Sequence, residues 1–256
     1  MSKLYVHMPV ALLSRHIDYL LTHRLQPEIA CQDADITSID MEQLANAAAC
    51  LSEANLKTIL HAPFIDFHPG TRDKSSHRRT IQLLEHSLIL AERISAEKIV
   101  FHPGLEPNCS RRRSEIWLEQ SYNLWSNYID WAQTNNCTFC IENIYEPSPD
   151  ALLQLMSAIN SPNFGHVFDI GHWNIFCADR LTKWLDQTAP FIRHLHLHDN
   201  RGHMDEHLAI GAGTVPFCEL FDWLANRDYS PSITLENHNL QALNQSLAAV
   251  EKNLWL

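Results

Sequence analysis

The sequence predicts an α/β protein in which eight parallel strands alternate with helices and close into a (β/α)₈ or TIM barrel. Eight short apolar runs alternate with longer amphipathic segments along the 256 residues, and eight strand–helix repeats in about 250 residues is the count of such a barrel. A doubly wound open sheet is the alternative, but it needs a glycine-rich loop after its first strand. The chain has seven glycines, and Met8-Pro9-Val10-Ala11 is not such a loop.

The predicted strands are short, and several are rich in β-branched residues, as expected for strands buried on both faces of a parallel sheet. In chain order they are Leu4–Met8, Glu28–Ala30, Lys57–Ala62, Lys98–His102, Thr138–Asn143, His166–Asp169, Ile192–Leu197 and Ser232–Glu236. Turn residues such as Pro69-Gly70 and Pro103-Gly104 punctuate the joins. No low-complexity linker divides the chain, so we expect one barrel domain over residues 1–256.

The segments between the strands show the three-and-four spacing of apolar residues that indicates an amphipathic helix. One face runs through Trp117, Leu124 and Trp131, with Ser121 and Tyr128 filling the same face. A second face is formed by Ile81, Leu84, Leu88 and Ala91. Both segments are therefore predicted helices.

Charge and composition narrow the class of function. The formal net charge is −11, whereas a protein that grips nucleic acid normally shows a basic surface, so we expect no nucleic-acid partner. The one dense basic run, Arg111-Arg112-Arg113, opens a predicted helix and indicates a solvated helix start. The chain holds no run of about eighteen apolar residues and no signal-peptide pattern, so we expect a cytoplasmic protein without membrane association.

The seven cysteines are scattered along the chain, which favours a reduced protein with buried thiols. Cys137 and Cys140 form a CxxC motif, but it lies in a predicted strand. Residues three apart in a strand face opposite sides, which argues against a zinc or redox role for this pair.

Histidine, aspartate or glutamate stands at or near the carboxyl end of six consecutive predicted strands, from the third to the eighth. The segments are His61-Ala62-Pro63, His102-Pro103-Gly104, Ile141-Glu142-Asn143, Phe168-Asp169-Ile170-Gly171-His172, His194-Leu195-His196-Leu197-His198-Asp199 and Leu235-Glu236-Asn237. In a barrel these ends converge on one mouth. A single histidine or glutamate of this kind is more often structural, but six in register are hard to explain as accidents. Imidazole and carboxylate together favour Zn²⁺, Mn²⁺ or Co²⁺, so the sequence predicts a metal centre.

The stretch from about Lys57 to Asn237 resembles the xylose isomerase-like TIM barrel superfamily, which includes sugar isomerases, sugar epimerases and endonuclease IV enzymes. The resemblance to the epimerases implies one metal held by Glu142, Asp169, His196 and Glu236. The resemblance to endonuclease IV implies three zinc ions, with Glu142 bridging the first and second. It assigns His61, His102 and Glu142 to the first, the four epimerase-type ligands to the second, and His172, Asp205 and His207 to the third. The resemblance thus implies one to three divalent ions, zinc or manganese.

One residue departs from the endonuclease IV pattern, which has asparagine where this chain has His198. His198 shares a strand face with His194 and His196. The motif assigns the ligand to His196. His198 lies closer to the mouth and is a candidate ligand, proton shuttle or substrate contact, whereas we expect His194 to be a buried structural residue.

The two metal counts predict different chemistry. Three divalent ions against the four carboxylates Glu142, Asp169, Asp205 and Glu236 leave a positive site, which suits a phosphodiester anion and a metal-activated water. One ion against three carboxylates leaves a negative site, which suits a neutral polyol, with Glu142 and Glu236 as the catalytic proton-transfer pair. The three-ion alternative gives every one of the nine candidate ligands a task, whereas the one-ion alternative does not. The sequence therefore favours phosphodiester hydrolysis modestly over sugar isomerisation or epimerisation.

The substrate is expected to be a small molecule. The segment His61–Asp66, followed by Pro69-Gly70, resembles a cobamide-remodelling phosphodiesterase group of the superfamily, which implies the nucleotide loop of a corrinoid as one candidate. Cleavage at apurinic sites is less favoured, because the loop from Cys31 to Asp40 holds three aspartates and no lysine or arginine. A metal-binding protein without catalysis is the third class. Nothing in the sequence marks an interface between subunits.

Four residues near the predicted mouth are candidate substrate contacts. Trp173 follows His172 and could stack on a ring, although packing at the rim explains it equally well. Arg72 and Arg201 lie in predicted mouth loops and could meet a phosphate, although solvated surface positions explain both better. His198 is the fourth. Glu28 and His7 lie on the first two strands, where polar filling of the barrel is the default interpretation.

Overall fold

The computed structural model describes residues 4–32, 38–177, 179–227 and 230–252, and its eight strands form a closed parallel barrel. Each strand pairs with the next in chain order, and the first pairs with the last through Leu4 with Ile233 and Val6 with Leu235. The strands are β1 (Leu4–Pro9), β2 (Gln26–Ala30), β3 (Ile59–His61), β4 (Lys98–Phe101), β5 (Thr138–Glu142), β6 (Phe164–Asp169), β7 (Ile192–Leu197) and β8 (Ser232–Leu235). The barrel and all eight predicted strands are confirmed.

The helices surround the barrel and bury their apolar faces against it. Those of the described residues are α1 (Val10–His23), α2 (Met41–Glu53), α3 (Lys74–Ile94), α4 (Arg111–Thr134), α5 (Asp150–Ile159), α6 (Ile170–Phe176), α7 (Leu181–Thr188), α8 (Phe217–Ala225) and α9 (Leu240–Lys252). The predicted faces on α3 and α4 are confirmed, since Leu84 and Leu88 are buried on the one and Trp117 and Leu124 on the other. None of these helices has the length and apolar character to cross a membrane.

Helix starts follow the capping chemistry of the sequence. Asp40 accepts hydrogen bonds from the backbone at the start of α2, and Asp73 and Ser110 do the same for α3 and α4. The basic run lies directly after Ser110, where Arg111 and Arg113 reach carboxylates on the surface. It is the solvated helix start that the sequence predicted.

The lower interior of the barrel is apolar. Tyr5, Ile59, Val100, Cys140 and Val167 form a buried cluster there. Burial raises the pKa of the Cys140 thiol to about 12, and all seven cysteines are free. Protonated buried thiols of this kind are inert.

Candidate metal centre

The carboxyl ends of β3 to β8 bring nine predicted metal ligands to one mouth. Strand pairing places Glu142 beside Val167 and Asp169 beside His196, so neighbouring strand ends deliver their polar side chains at the same height. Six of the nine residues are buried: His61, Glu142, Asp169, His172, His196 and Glu236. So many ionisable groups out of water require partners or a bound cation.

The first donor group is formed by His61, His102 and Glu142. Both histidines place Nε2 at 3.4 Å from Oε2 of Glu142. That oxygen is buried and has no hydrogen-bond partner of good geometry among the described residues. Two ligands of one tetrahedral zinc lie roughly 3.3 Å apart, given bonds of about 2.0–2.1 Å. The three atoms are therefore spaced as ligands of a shared ion.

The central donor group is formed by Glu142, Asp169, His196 and Glu236, whose ligand atoms lie within 4.8 Å of one another. Nδ1 of His196 lies 3.2 Å from Glu142 Oε1, 3.8 Å from Asp169 Oδ2 and 3.6 Å from Glu236 Oε2. Glu142 thus turns one oxygen to each of the two groups. This is the bridging position that the sequence resemblance implied.

The outer donor group lies beyond Asp169, on α6 and the loop after β7. Asp205 Oδ2 lies 3.3 Å from His172 Nε2 and 3.1 Å from His207 Nε2. His207 adopts a left-handed backbone conformation with φ of 49°. Its Nδ1 donates to the backbone oxygen of Glu236 at 2.8 Å, which leaves Nε2 facing Asp205.

His198 lies between the central and outer groups and is fully buried. Its Nε2 is 3.2 Å from Asp169 Oδ1, and its Nδ1 is 3.6 Å from Asp205 Oδ1. The ring stacks on His207 with centroids 4.0 Å apart. Gly171 leaves it room, because a Cβ there would lie 2.1 Å from the imidazole. His198 therefore belongs to the set of potential ligands, in addition to His196.

One pattern repeats in several of the candidate ligand histidines: one ring nitrogen is bonded to the protein, and the other faces a carboxylate. His61 Nδ1 faces the backbone oxygen of Ala62 at 3.1 Å, and His172 Nδ1 faces that of Asn143 at 3.1 Å. A carbonyl oxygen only accepts, so these nitrogens carry a proton. The opposite nitrogens face carboxylates, which also only accept, so either a second proton on the ring or a metal ion must lie between the two groups. Histidines that bind a metal have this arrangement, with the far nitrogen bonded to the protein.

The charged groups shift one another's pKa in the same sense. Burial raises the pKa of Glu142, but His196 and the other histidines outweigh burial and hold it well below its ordinary value. For Glu236, burial is likewise outweighed by His196, which lowers the pKa to about 2. Burial lowers the pKa of His196, but Glu28, Glu236 and Glu142 together raise it well above its ordinary value. The mouth is an anionic site that attracts cations.

Two side chains hold these ligands in place. Asn143 donates to the backbone oxygen of Asp169 and accepts from its backbone N–H, at 2.8 and 2.9 Å. Asp169 Oδ1 also accepts from the backbone N–H of His172, as the cap of α6. Asp199 accepts from the backbone N–H groups of Gly211 and Gly213 and so folds the loop that carries the outer ligands.

The predicted substrate contacts are distributed differently. Trp173 is half-buried on α6 beside His172. Arg72 pairs with Glu119 of α4 at 2.6 Å, with both side chains more than half exposed. Arg201 pairs with Glu206 in the loop after β7. Each arginine is thus engaged by a carboxylate outside the donor groups. Residues 33–37 of the acidic loop after β2 lie outside the described residues.

Glu28 has a larger role in the site than the polar filling that the sequence indicated. Glu28 is fully buried and contacts both His194 and His196. His194 is the buried structural residue expected, bonded to Ser232 and Thr234. His238, which is not among the residues predicted from the sequence, stacks on His207 with ring centroids 3.9 Å apart. The signal for Glu28 was its charge directly before the apolar residues Ile29 and Ala30 of a buried strand.

Comparison with known proteins identifies the family. The sequence matches the model of the xylose isomerase-like TIM barrel family over residues 25–255. The chain belongs to this family. It is also 30% identical over 195 residues to "Uncharacterized protein MJ1311" of Methanocaldococcus jannaschii. That match covers 73% of this chain and 66% of the relative, so the chain spans just under two thirds of the relative's length.

Solved structures share the fold over nearly the whole chain. The TTHB071 protein of Thermus thermophilus, soaked with zinc chloride, has a TM-score of 0.83 and 22% identity, with 98% of each chain covered. A D-tagatose 3-epimerase-like protein has a TM-score of 0.82 and 23% identity, with 98% and 97% covered. The D-psicose 3-epimerase of Clostridium cellulolyticum H10, with D-tagatose, has a TM-score of 0.79 and 13% identity, with 98% of each covered. The family match establishes a xylose isomerase-like barrel, and the donor groups at its mouth could hold divalent metal ions.

Proposed function

We propose that the protein is a divalent-metal-dependent sugar isomerase or epimerase whose ion is held by Glu142, Asp169, His196 and Glu236. The observation that carries the proposal is the central donor group, in which Glu142 at the end of β5 and Glu236 directly after β8 both approach Nδ1 of His196. Two of the similar structures are described as ketose 3-epimerases or epimerase-like. The sequence modestly favoured phosphodiester hydrolysis, and the comparisons support its alternative better.

The charge of the central group suits a neutral substrate. Glu142, Asp169 and Glu236 bring three carboxylates to one divalent ion, so the site stays anionic and repels phosphate. When bound, a divalent ion polarises the carbonyl and hydroxyl oxygens of a ketose and acidifies the adjacent C–H bond. A polyol can offer such oxygens without adding charge.

Glu142 and Glu236 are the catalytic pair in this proposal. Epimerisation beside a carbonyl removes a proton from one face of a carbon and returns one to the other face, which requires two proton-transfer groups. Glu236 is ionised at neutral pH, since its pKa lies at about 2. The contact described for its Oε1 is His7 Nδ1 at 3.8 Å, and burial lowers the pKa of His7 to about 4, so this ring is neutral at neutral pH. Glu236 Oε1 is therefore the atom available to take a proton, and Glu142 serves the opposite face.

Hydrolysis of a small-molecule phosphodiester is the second candidate, and the outer donor groups favour it. His61 with His102, and His172 with Asp205 and His207, are spaced as ligands of two more ions. Three ions would leave the mouth positive and suited to a phosphodiester, of which a cobamide nucleotide loop is one candidate. None of the similar proteins named above is described as a phosphodiesterase.

The experiment combines a metal count with two assays on protein purified without chelators. Ketoses including D-tagatose and D-fructose are incubated in D₂O, and deuterium at C3 is followed by NMR. Bis-p-nitrophenyl phosphate reports hydrolysis. We expect deuterium exchange, and a loss on the order of 10²–10⁴-fold in Glu236→Gln, the range for removing a general base. Glu119→Gln, an exposed carboxylate of α4, is the control and should exchange as the wild type does.

The outcomes separate the candidates. About one ion per chain with exchange supports the isomerase or epimerase. About three ions with diester hydrolysis and no exchange replaces it with the second candidate. Bound metal without turnover of either substrate class contradicts both.

A further inference from the structure

Glu28 is a carboxylate placed where carboxylates are costly. It lies on β2, is fully buried, and pairs in register with Ile59 of the apolar cluster in the barrel interior. A buried ion pair adds little net stability, and apolar residues of similar volume often replace one without loss. A carboxylate at this buried position therefore calls for a role other than packing.

The contacts of Glu28 point to that role. Its Oε1 lies 3.0 Å from Nε2 of His196, and its Oε2 lies 3.2 Å from the same nitrogen. The opposite nitrogen of His196, Nδ1, faces Glu142, Asp169 and Glu236. A carboxylate only accepts hydrogen bonds, so Nε2 of His196 carries a proton. Nδ1 faces the three carboxylates of the central donor group, so it is the nitrogen that would offer its lone pair to an ion held there.

Further hydrogen bonds fix Glu28 itself. Thr234 Oγ1 donates to Oε2 of Glu28 at 2.5 Å, and His194 Nε2 lies 3.1 Å from the same oxygen. His194 Nδ1 in turn contacts Ser232 Oγ at 2.6 Å. The carboxylate is therefore held from β7 and β8, and it can reorient only if several bonds break together.

We infer that Glu28 is a positioning residue that locks His196 in the tautomer and orientation needed to bind a metal ion through Nδ1. The inference rests on the proposed metal site. In it, Glu28 contacts the proposed ligand His196 but not the ion itself. A carboxylate bonded to the far nitrogen makes a ligand imidazole a stronger base and fixes its ring. Glu28 thus sets the affinity of the central group for a divalent ion without touching the ion.

Zinc affinity in matched variants tests the inference. In Glu28→Gln, one amide oxygen cannot serve the three donors that now point at the carboxylate, so we expect zinc to bind roughly 10–100-fold more weakly, the usual effect of losing such a partner. Ser232→Ala is the matched control, because it removes a bond of the same network on the side away from His196. It should leave zinc affinity within about twofold of the wild type, whatever it does to stability. Competition with a chromophoric chelator gives the affinities, and circular dichroism checks the fold.

The tautomer is measured directly in the zinc-loaded wild type, which keeps the test valid if Glu28→Gln fails to fold. Two-dimensional ¹⁵N–¹H spectra of the histidine rings should show zinc on Nδ1 of His196 and a proton on Nε2. Coordination through Nε2, or a folded Glu28→Gln with wild-type zinc affinity, overturns the role of Glu28. A wild type that binds no zinc or other divalent ion instead overturns the proposed function.

Discussion

Single residues in this barrel gain their properties from what each atom faces. His166 is the clearest case away from the metal centre. Its Nδ1 donates to the backbone oxygen of Ile141 at 2.8 Å, and its Nε2 accepts from the indole N–H of Trp184 at 3.4 Å. The second bond requires the neutral ring, because Nε2 accepts only while it carries no proton. Burial lowers the pKa of His166 to about 4, against the opposing effect of its bond to Ile141.

This lowered pKa predicts a loss of stability in acid. Between pH 6.5 and pH 4 the unfolded chain protonates His166 and the folded protein does not, so the free energy of unfolding falls as the pH falls through that window. At about 1.36 kcal/mol per pH unit, the loss from about pH 7 to pH 5 is about 2 kcal/mol from this residue. In His166→Gln, the difference between urea unfolding at the two pH values should shrink by about that amount.

The wild type and His166→Gln are both compared as metal-free protein. The ionisable groups of the mouth then contribute equally to the pH dependence of stability in the two proteins, and their contribution cancels in the difference. His86→Gln is the control, because His86 is exposed on the outer face of α3. It should show the pH dependence of the wild type. If His166→Gln and the wild type lose the same unfolding free energy between the two pH values, this account of His166 is wrong.

Single residues of the site differ in whether the sequence could predict them. Glu142, Asp169, His196 and Glu236 were predictable because each stands at a strand end, and strand ends share one edge of a barrel. Glu28 was not, because its partners lie 166 and 168 positions away on β7. Only closure of the barrel brings them together.

At the level of elements, the strands were predictable and some of their ends were not. Strand β2 begins at Gln26, earlier than the apolar pattern indicates. The Gln26 side chain replaces an apolar one by bonding the backbone of Leu4 and of Lys57. Strand β3 ends at His61, before Ala62, where the chain turns into the mouth. These ends depend on partners in neighbouring strands, which a local pattern does not contain.

The loop after β7 depends on a single buried carboxylate. Asp199 Oδ1 accepts from the backbone N–H of Asn200 and of Val215, and Oδ2 accepts from those of Gly211 and Gly213. Asp199→Asn replaces one acceptor with an NH₂ group that cannot accept. Two N–H groups then lose their partner, at a cost of roughly 2–4 kcal/mol in the free energy of unfolding.

Amide hydrogen exchange measures the local effect of Asp199→Asn on the loop. Urea unfolding measures the change in the free energy of unfolding of the whole protein. Amides of residues 211–215 should exchange faster than in the wild type, and amides of β4 and β5 should not. Asp222→Asn, with its exposed side chain on α8, serves as the control. Unchanged exchange across residues 211–215 would show that Asp199 does not hold this loop.

At the scale of the whole molecule, closure of the barrel creates both the core and the mouth. The eight strands bury an apolar interior below, while their carboxyl ends gather carboxylates and histidines above. The fold was predictable because its signal, eight repeats with buried runs, is spread over the chain. The reaction could not be predicted from the sequence in the same way, because the same types of ligand residue can hold one ion or three.

The gathered charges predict that metal removal destabilises the whole protein. A ligand that binds only the folded state stabilises it by about 2.7 kcal/mol at about 100 times its Kd. For a barrel of this size that is a shift in Tm of roughly 5–10 °C. We expect EDTA treatment to lower the Tm by this amount and zinc or manganese to restore it, with each form scanned at the same rate. In Glu142→Gln, which loses the carboxylate shared by two donor groups, the response to EDTA should largely vanish. Equal Tm values for treated and untreated wild type would mean that no ion contributes to folding, and the mouth would then be held by its hydrogen bonds alone.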